Sequence, residues 1–262
     1  MTLTKQLART PTPRLIGHFL RLECGGLMRK LARALGFNRP RELALAELDI
    51  PDSDFTRAAT AMVTRIEPPM LVNHSIRTYL FGTAIGLHLG VRADPELLYL
   101  ASVLHDVGLV PPYDREGSFE LNGAHAAYEF LAAQGMDTER AELVHEAIAL
   151  HAAVGIAGSR EPEIALVHYG AGMDVIGLRT EDIAMPTRVA IVERYPRLRF
   201  KCEFPLLLAD PHCIQRQIPL TLPYLPGRRW LRVWKIYFSK HCQEAILIGL
   251  AQSPRRVYCR TP

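Results

Sequence analysis

The chain has 262 residues, of which 48% are hydrophobic and 22% are charged, and its formal net charge is +4. These values are typical of a globular protein with a substantial core, built as one domain with extensions. No uninterrupted apolar run approaches the roughly 18 residues that a membrane-spanning helix needs, so the sequence predicts no transmembrane segment.

The cysteines are odd in number and show no metal-binding spacing such as Cys-x-x-Cys. Free thiols in a reducing compartment are the simpler interpretation, and we therefore expect a cytoplasmic protein. The five positions are Cys24, Cys202, Cys213, Cys242 and Cys259.

Charge is distributed unevenly along the chain. Residues 1–50 carry nine Lys or Arg against four Asp or Glu, residues 51–187 carry eight against nineteen, and residues 188–262 carry fourteen against four. Either the basic ends fold back on the acidic middle or they contact an anionic partner. Without a Gly-rich phosphate loop or zinc-finger spacing, we expect no nucleic-acid partner. The predicted organisation is a basic N-terminal extension over 1–50, a central domain over 51–210 and a basic C-terminal extension over 211–262.

The N-terminal residues 1–37 are rich in Arg, with leucines at roughly helical spacing and Glu23 as the first acidic residue. Three interpretations stay open: an additional helix packed on the body, an organelle transit segment, and an interfacial helix. The segment lacks the apolar core of a secretion signal, so we do not expect secretion.

The middle of the chain predicts consecutive helices. Asp94 and Pro95 illustrate the pattern, since they supply an N-cap and a first helical residue before an apolar run. Alternating β-branched runs joined by Asn-Gly turns are nearly absent, so the predicted fold class is all-α, a helical bundle. The predicted helices span 71–90, 94–108, 119–135, 137–155 and 162–177, with a further helix capped near 180–183.

Beyond about residue 205 the helical pattern weakens. The Pro-rich stretch over 217–230 predicts a linker or an extended loop. The stretch over 228–251 predicts one more amphipathic helix.

The stretch "YLASVLHDVGLV" over 99–110 is almost wholly apolar, yet it contains His105 and Asp106 side by side. Burial of an ionised carboxylate without a partner costs more than the neighbouring leucines and valines could recover. Near the end of a helix both side chains can reach one point, and a divalent cation there would stabilise the carboxylate. We therefore predict a metal site at this pair.

Two further side chains complete the predicted ligand set. His74 lies on the preceding helix, and Arg77 shares its face three residues later. Asp174 follows Gly170 and Ala171, small residues that would let its helix approach its neighbours closely. His74 and Asp174, with the His-Asp pair, would supply two nitrogen and two oxygen ligands from three helices.

Motifs in the same order resemble the HD superfamily of metal-dependent hydrolases, and more closely its cyanamide hydratase-like branch. The resemblance covers roughly residues 55–210, and it implies an all-α HD-domain bundle with one metal held by His74, His105, Asp106 and Asp174. The branch's metal is zinc, with Fe²⁺ or Mn²⁺ as alternatives. The motifs are "NHSIRTYLFG", "LHDVG", "FELNGAHAA", "HEAIALHAAVGIA", "GMDVIG" and "VERYPRLRFK".

The resemblance also bears on substrate and metal count. Leu109 follows the motif glycine where many phosphohydrolases of the superfamily carry Lys, which favours a small, neutral substrate. Phe119 stands where two-metal members place a further His, so we predict one metal. His125 and Ala152 depart from the residues usual in the branch, which predicts a changed substrate or lowered activity.

The predicted activity is a metal-dependent hydro-lyase or hydrolase that uses metal-activated water, with hydration of cyanamide to urea as the leading reaction. His151 or Asp106 would move a proton to the substrate nitrogen, and Arg77 is either a pocket cation or half of a surface ion pair. Among the other histidines, we expect His145 at the solvent and leave His125 open. The expected partner is a small-molecule substrate, and a homo-oligomer is left open.

Two alternatives remain. The same site could hydrolyse a phosphomonoester or nucleotide, with Arg77 and the basic ends as a phosphate clamp. The chain could also be a non-catalytic HD domain whose basic ends bind a partner or a membrane. His88 and His168 are predicted to be structural or exposed.

Overall fold

The computed structural model describes residues 28, 31 and 35–209, and within these residues the fold is all-α, as the sequence predicts. Its described part contains no strand, and no helix in it has both the length and the apolar character needed to cross a membrane. The described helices are α1 (Asp54–Ile66), α2 (Pro69–Leu89), α3 (Pro95–Leu104), α4 (Phe119–Ala133), α5 (Thr138–Leu150), α6 (Pro162–Ile176), α7 (Met185–Arg194) and α8 (Phe200–Ala209).

The five helices predicted over 71–177 are all present, but two of them end four or five residues earlier than the sequence pattern predicts. The helix predicted near 180–183 is instead a 3-10 turn over Thr180–Asp182. Helix α3 ends at Leu104 rather than at 108, because His105 is its C-cap and a 3-10 turn over Val107–Leu109 follows. Helix α5 ends at Leu150, with His151 as its C-cap. Both histidines therefore lie where a helix gives way to a turn.

The helix ends follow local signals in the sequence. The carboxylate of Asp94 accepts hydrogen bonds from the N–H groups of Glu96 and Leu97 at the start of α3, which satisfies donors that a helix N-terminus leaves free. Gly90 and Gly177 end α2 and α6 with φ values of 68° and 74°, a left-handed conformation that glycine adopts without a steric penalty.

The predictions for the two ends of the chain fall outside the described residues. They concern the N-terminal helix, the Pro-rich linker and the C-terminal amphipathic helix. The division into a central domain and two basic extensions stays a prediction.

Helix α6 packs closely against α2 at the centre of the fold. A Cβ atom at Gly170 would overlap the carbonyl oxygen of Thr78 in α2, and a Cβ at Gly82 would lie 2.7 Å from the carbonyl oxygen of Leu166. The expectation that small residues before Asp174 permit a close approach is therefore confirmed. This close contact also sets the distance between Asp174 and α2.

A smaller group of buried apolar side chains lies apart from the main core, and we call it the apolar cover. Residues from the start of α2, the turn after α3, the start of α4 and helix α8 form it. Its buried members are Met70, Leu71, Leu109, Val110, Phe119, Phe200 and Phe204.

We expect Gly170→Ala to lower the free energy of unfolding by about 1–3 kcal/mol, because the added methyl group would push against α2 backbone. Urea unfolding followed by circular dichroism measures the change. Gly172→Ala, two residues along the same helix, is the control, since its Cβ would meet mainly the flexible side chain of Leu178. Equal stabilities of the two variants would contradict this account of the α2–α6 contact.

Candidate metal centre

Three of the predicted ligands meet at one buried point. His74 comes from the middle of α2, His105 caps α3, and Asp106 follows it; each is only 1% exposed. Asp106 Oδ2 lies 3.5 Å from His74 Nε2 and 3.3 Å from His105 Nε2. These three residues supply ligand atoms that all lie within 4.8 Å of one another.

The backbone after α3 explains how two adjacent side chains share this point. His105 keeps helical angles (φ −65°, ψ −28°), whereas Asp106 has φ −106° and ψ 4°, the bridge region between helix and strand that often holds active-site residues. Gly108 then packs against the backbone of Phe119 and Gly123, leaving no room for a Cβ. The helix end therefore lets the pair converge, as predicted from the sequence.

Backbone carbonyl groups fix the orientation of two imidazoles. His105 Nδ1 lies 2.7 Å from the carbonyl oxygen of Ser102, and His151 Nδ1 lies 2.7 Å from that of Ile148. A carbonyl oxygen only accepts hydrogen bonds, so Nδ1 carries the proton and Nε2 keeps its lone pair. Both Nε2 atoms are therefore available as ligands or bases.

Asp106 is a buried carboxylate without a donor. Its Oδ2 has no hydrogen-bond partner among the described residues, and burial raises the pKa of this carboxyl although His74 and His151 lower it in part. Burial, followed by His151 and His74, holds the pKa of His105 well below its usual range. The site thus brings together lone pairs that repel one another, and a divalent cation would turn this repulsion into attraction. The donor set fits Zn²⁺, which takes imidazole and carboxylate ligands.

Asp174 lies behind the ring of His74, on the side away from this cluster. Its Oδ2 is 2.8 Å from His74 Nδ1 and also accepts from Arg77, while Oδ1 accepts hydrogen bonds of 3.0 and 2.8 Å from Arg197. Two guanidinium groups and an imidazole N–H surround Asp174 here, and its role as a fourth ligand stays a prediction. A carboxylate on the outer nitrogen of a metal-binding His orients the ring and increases its basicity.

The charges around Asp174 outweigh its burial. Burial raises the pKa of this carboxyl, but Arg77, then Arg197, then His74 lower it, and the net pKa lies well below its usual range. The carboxylate therefore remains ionised and receives the proton of His74 Nδ1 as a hydrogen bond. His74 Nε2, on the opposite side of the ring, then faces Asp106 as a lone pair.

Arg77 is completely buried, so it is not half of a surface ion pair. Its Nε and Nη2 donate to Asp174, and its Nη1 donates to the carbonyl oxygens of Tyr195 and Pro196 at 3.0 and 3.2 Å. The guanidinium thus ties α2 to α6 and to the turn before α8. Its donors are already engaged, which argues against direct contact between Arg77 and a substrate.

His151 lies beside the cluster. It is 6% exposed, its Nε2 is 4.0 Å from Asp106 Oδ1, and its ring meets that of His105 edge-on with centroids 4.8 Å apart. Phe119 packs edge-on against the other side, 5.7 Å away. An accepting Nε2 at this distance is suited to receiving a proton from a water molecule next to Asp106.

Aromatic rings close the site from the side of α8. Phe200 stacks on His74 with centroids 4.4 Å apart, and Phe204 stacks on Phe200 at 4.6 Å. Leu109, which stands where a Lys would engage phosphate, is 5% exposed and belongs to the same apolar cover. On this side the cluster is therefore lined by apolar side chains, which strengthens electrostatic interactions inside.

The remaining histidines lie elsewhere. His125 is exposed, its Nδ1 bonds to the Leu121 carbonyl oxygen, and its ring packs 5.1 Å from that of His145, which is half-buried rather than fully solvent-facing. His168 is buried, and its Nδ1 bonds to the carbonyl oxygen of His151. His88 lies 3.7 Å from Asp182.

Sequence reasoning missed two residues. Arg197 occurs in the motif "VERYPRLRFK", but the motif alone does not indicate its contact with Asp174. Glu67 is 5% exposed, and neither of its carboxylate oxygens has a hydrogen-bond partner among the described residues. The sequence does contain one indication of Glu67, because it is a single acidic residue in the stretch "RIEPPMLV" just before the His74 motif.

Comparisons with known proteins agree with this geometry. The HD domain family matches residues 71–184. Two cyanamide hydratases of Saccharomyces cerevisiae, DDI2 and DDI3, are each 27% identical to the chain over 173 residues, covering 62% of this chain and 74% of each relative. Residues 71–184 are therefore similar to an HD domain. More particularly, the chain is similar to cyanamide hydratases, which confirms the resemblance found in the sequence and supports a metal-dependent hydrolase or hydratase.

We expect the metal-free protein to lose stability as pH falls from about 7.5 to 5.5. Burial lowers the pKa of His168 and, with His151 and His74, that of His105, whereas the histidines of the unfolded chain take up protons near their ordinary pKa of 6.5. The unfolded state binds more protons in this window, so acid favours unfolding. Urea midpoints of chelator-treated protein measure the effect. The control is His168→Gln, which should show a shallower dependence; an identical slope would contradict this assignment.

Asp174→Asn should weaken metal binding about 10- to 100-fold without abolishing it, as expected for a residue that orients a ligand. Competition with a chromophoric chelator measures the affinity, and elemental analysis measures the stoichiometry. Complete loss of stoichiometric metal would instead support the sequence prediction that Asp174 is itself a ligand.

Proposed function

We propose that the protein hydrates a small nitrile such as cyanamide to urea, using one divalent metal ion, preferably Zn²⁺. The observation that carries the proposal is the set of facing acceptors formed by His74, His105 and Asp106, in which Asp106 Oδ2 has no donor in the described part of the chain. The similarity to cyanamide hydratases supports the choice of reaction.

His74 Nε2, His105 Nε2 and a carboxylate oxygen of Asp106 would hold the ion, and Asp174 would orient His74 from behind. When bound, the metal lowers the pKa of a water molecule and so supplies hydroxide near neutral pH. Three protein ligands leave room for water and substrate, which is the arrangement of catalytic rather than structural zinc sites.

The chain's own residues supply proton transfer and a dry site. In the net reaction, the water oxygen becomes doubly bonded to the nitrile carbon, the order of the carbon–nitrogen bond falls from three to one, and both water protons end on that nitrogen. His151 Nε2 would accept one proton and return it to the nitrogen. The apolar cover keeps bulk water away and strengthens these interactions.

The surroundings favour a neutral substrate over a phosphorylated one. Leu109 offers no charge, and both guanidinium groups closest to His74 donate to Asp174. A phosphate group placed here would have to compete with that buried carboxylate for Arg77. This observation weighs against a nucleotide or phosphomonoester.

Purified protein should contain about one metal ion and form urea from cyanamide, as measured by elemental analysis and a colorimetric urea assay. His105→Ala should lose the metal, and urea formation should fall to background, because two ligands cannot hold the ion in place. His125→Ala, on an exposed position outside the cluster, should behave like the unmodified protein.

The same preparation should be tested with nucleotides and phosphomonoesters. Metal-loaded protein that hydrolyses these compounds but leaves cyanamide intact would refute the proposed reaction. Protein that carries no metal after purification without chelators would refute the metal site as well.

A further inference from the structure

Glu67 is a buried carboxyl group that the proposed chemistry leaves without a role. It is 5% exposed, and neither Oε1 nor Oε2 has a hydrogen-bond partner in the described structure. Buried polar groups in native proteins are nearly always hydrogen-bonded, so an exception requires an explanation. A carboxyl group retained in this state points to a ligand that it meets only part of the time.

The ordinary structural roles of a Glu at a helix boundary do not apply here. Glu67 could cap α2, but the N–H groups of Leu71 and Val72 donate to the carbonyl oxygen of Pro68 instead. Its own N–H completes α1 by donating to Val63. No ion pair of Glu67 occurs within the part of the chain that the structure describes, so charge neutralisation does not account for its burial either.

The backbone holds Glu67 rigidly. The backbone of Glu67 is extended (φ −96°, ψ 146°). The backbone of Pro68 is extended as well, and Pro69 follows as the first residue of α2. Proline fixes its own φ and restricts the residue before it. The side-chain direction at position 67 therefore depends on a short junction with little freedom between α1 and α2.

This junction leads directly into the apolar cover beside the metal centre. The next residues, Met70 and Leu71, pack in the apolar cover with Phe200 and Phe204, which stack over His74. The pKa of Glu67 is consistent with a position near the metal centre. Burial first, and then the charge of the nearby Asp106, raise this pKa well above its usual range. Glu67 and Asp106 are thus two neighbouring buried carboxyl groups, each with an oxygen that has no hydrogen-bond partner among the described residues.

A nitrile or amide that carries an amino group needs an acceptor for its N–H donors. The Nδ1 atoms of His105 and His151 are bonded to carbonyls, Asp174 is occupied by guanidinium groups, and the apolar cover offers no acceptor side chain. We propose that Glu67 binds the amino group of the substrate, accepting its N–H and holding the reacting carbon over the metal centre. This inference rests on the proposed function and names the substrate class as small neutral nitriles or amides with a free N–H.

The test compares Glu67→Leu and Glu67→Gln with the control Glu163→Leu in the full-length, metal-loaded protein. Glu163 is also buried, but its Oε1 accepts a 2.6 Å hydrogen bond from the N–H of Asp94, at the opposite end of α3 from the His-Asp pair. It is thus a matched carboxyl with a structural partner. The measurements are metal content, urea affinity by calorimetry, the KM and kcat for cyanamide, and the thermal unfolding midpoint.

For Glu67→Leu we expect unchanged metal content, an unfolding midpoint no lower than that of the unmodified protein, and urea binding weaker by about tenfold or more. Glu67→Gln, which keeps a carbonyl acceptor, should fall between. The KM for cyanamide should rise in the same order, since binding to the amino group is lost in ground and transition states alike. Glu163→Leu should show the reverse, with a lower midpoint and unchanged urea affinity.

Unchanged urea affinity in Glu67→Leu would overturn the inference, and so would loss of metal, which would make Glu67 part of the ion's own site. Active protein with Glu67-independent binding would leave the proposed function standing and remove the inference alone. Protein that binds urea through Glu67 but does not hydrate cyanamide would refute the proposed reaction and leave the binding of an amino group by Glu67 standing. Protein that neither binds urea nor hydrates cyanamide would refute both.

Discussion

The repulsion among buried lone pairs around Asp106 is the constraint on which the site depends. His74 Nε2 and His105 Nε2 face Asp106 Oδ2 at 3.5 and 3.3 Å, and Oδ2 has no hydrogen-bond partner among the described residues. Both Nδ1 atoms are bonded to acceptors, which leaves Nε2 as a lone pair. Such an arrangement is costly unless a cation shares the lone pairs. The fold therefore stores an unfavourable local arrangement that metal binding would relieve.

The two buried aspartates show the two ways in which a protein tolerates an interior carboxylate. Asp174 receives two guanidinium groups and an imidazole N–H, and its pKa falls. Asp106 receives no donor at Oδ2, and burial raises its pKa. The paired carboxylate fixes the position of α6 and of His74, whereas the unpaired one remains available for chemistry. We therefore expect that exchanging the two environments would disturb both the packing of α6 and the metal site.

Rigid surroundings hold this arrangement in place. The close α2–α6 contact through Gly170 and the contact between Gly108 and the start of α4 leave no space for adjustment, because protein interiors are packed as densely as organic crystals. Phe200 and Phe204 then cover the imidazole of His74. His151 Nε2 lies 4.0 Å from Asp106, and Glu67 has no hydrogen-bond partner among the described residues, a pattern expected where stability is given up for function.

The sequence by itself determined the helical class, the order of the central helices and the convergence of His74, His105 and Asp106. These features follow from local causes: apolar spacing, caps such as Asp94, and a His-Asp pair at a helix end inside an apolar run. Only the tertiary structure decided that Asp174 lies behind His74, that Arg77 is buried, and that Glu67 meets no donor in the part of the chain that the structure describes. Each of these depends on partners that a local pattern does not encode, such as the Asp174–Arg197 pair across 23 positions. Helical periodicity gives the face on which a side chain lies, but the atom it meets depends on how separate helices pack.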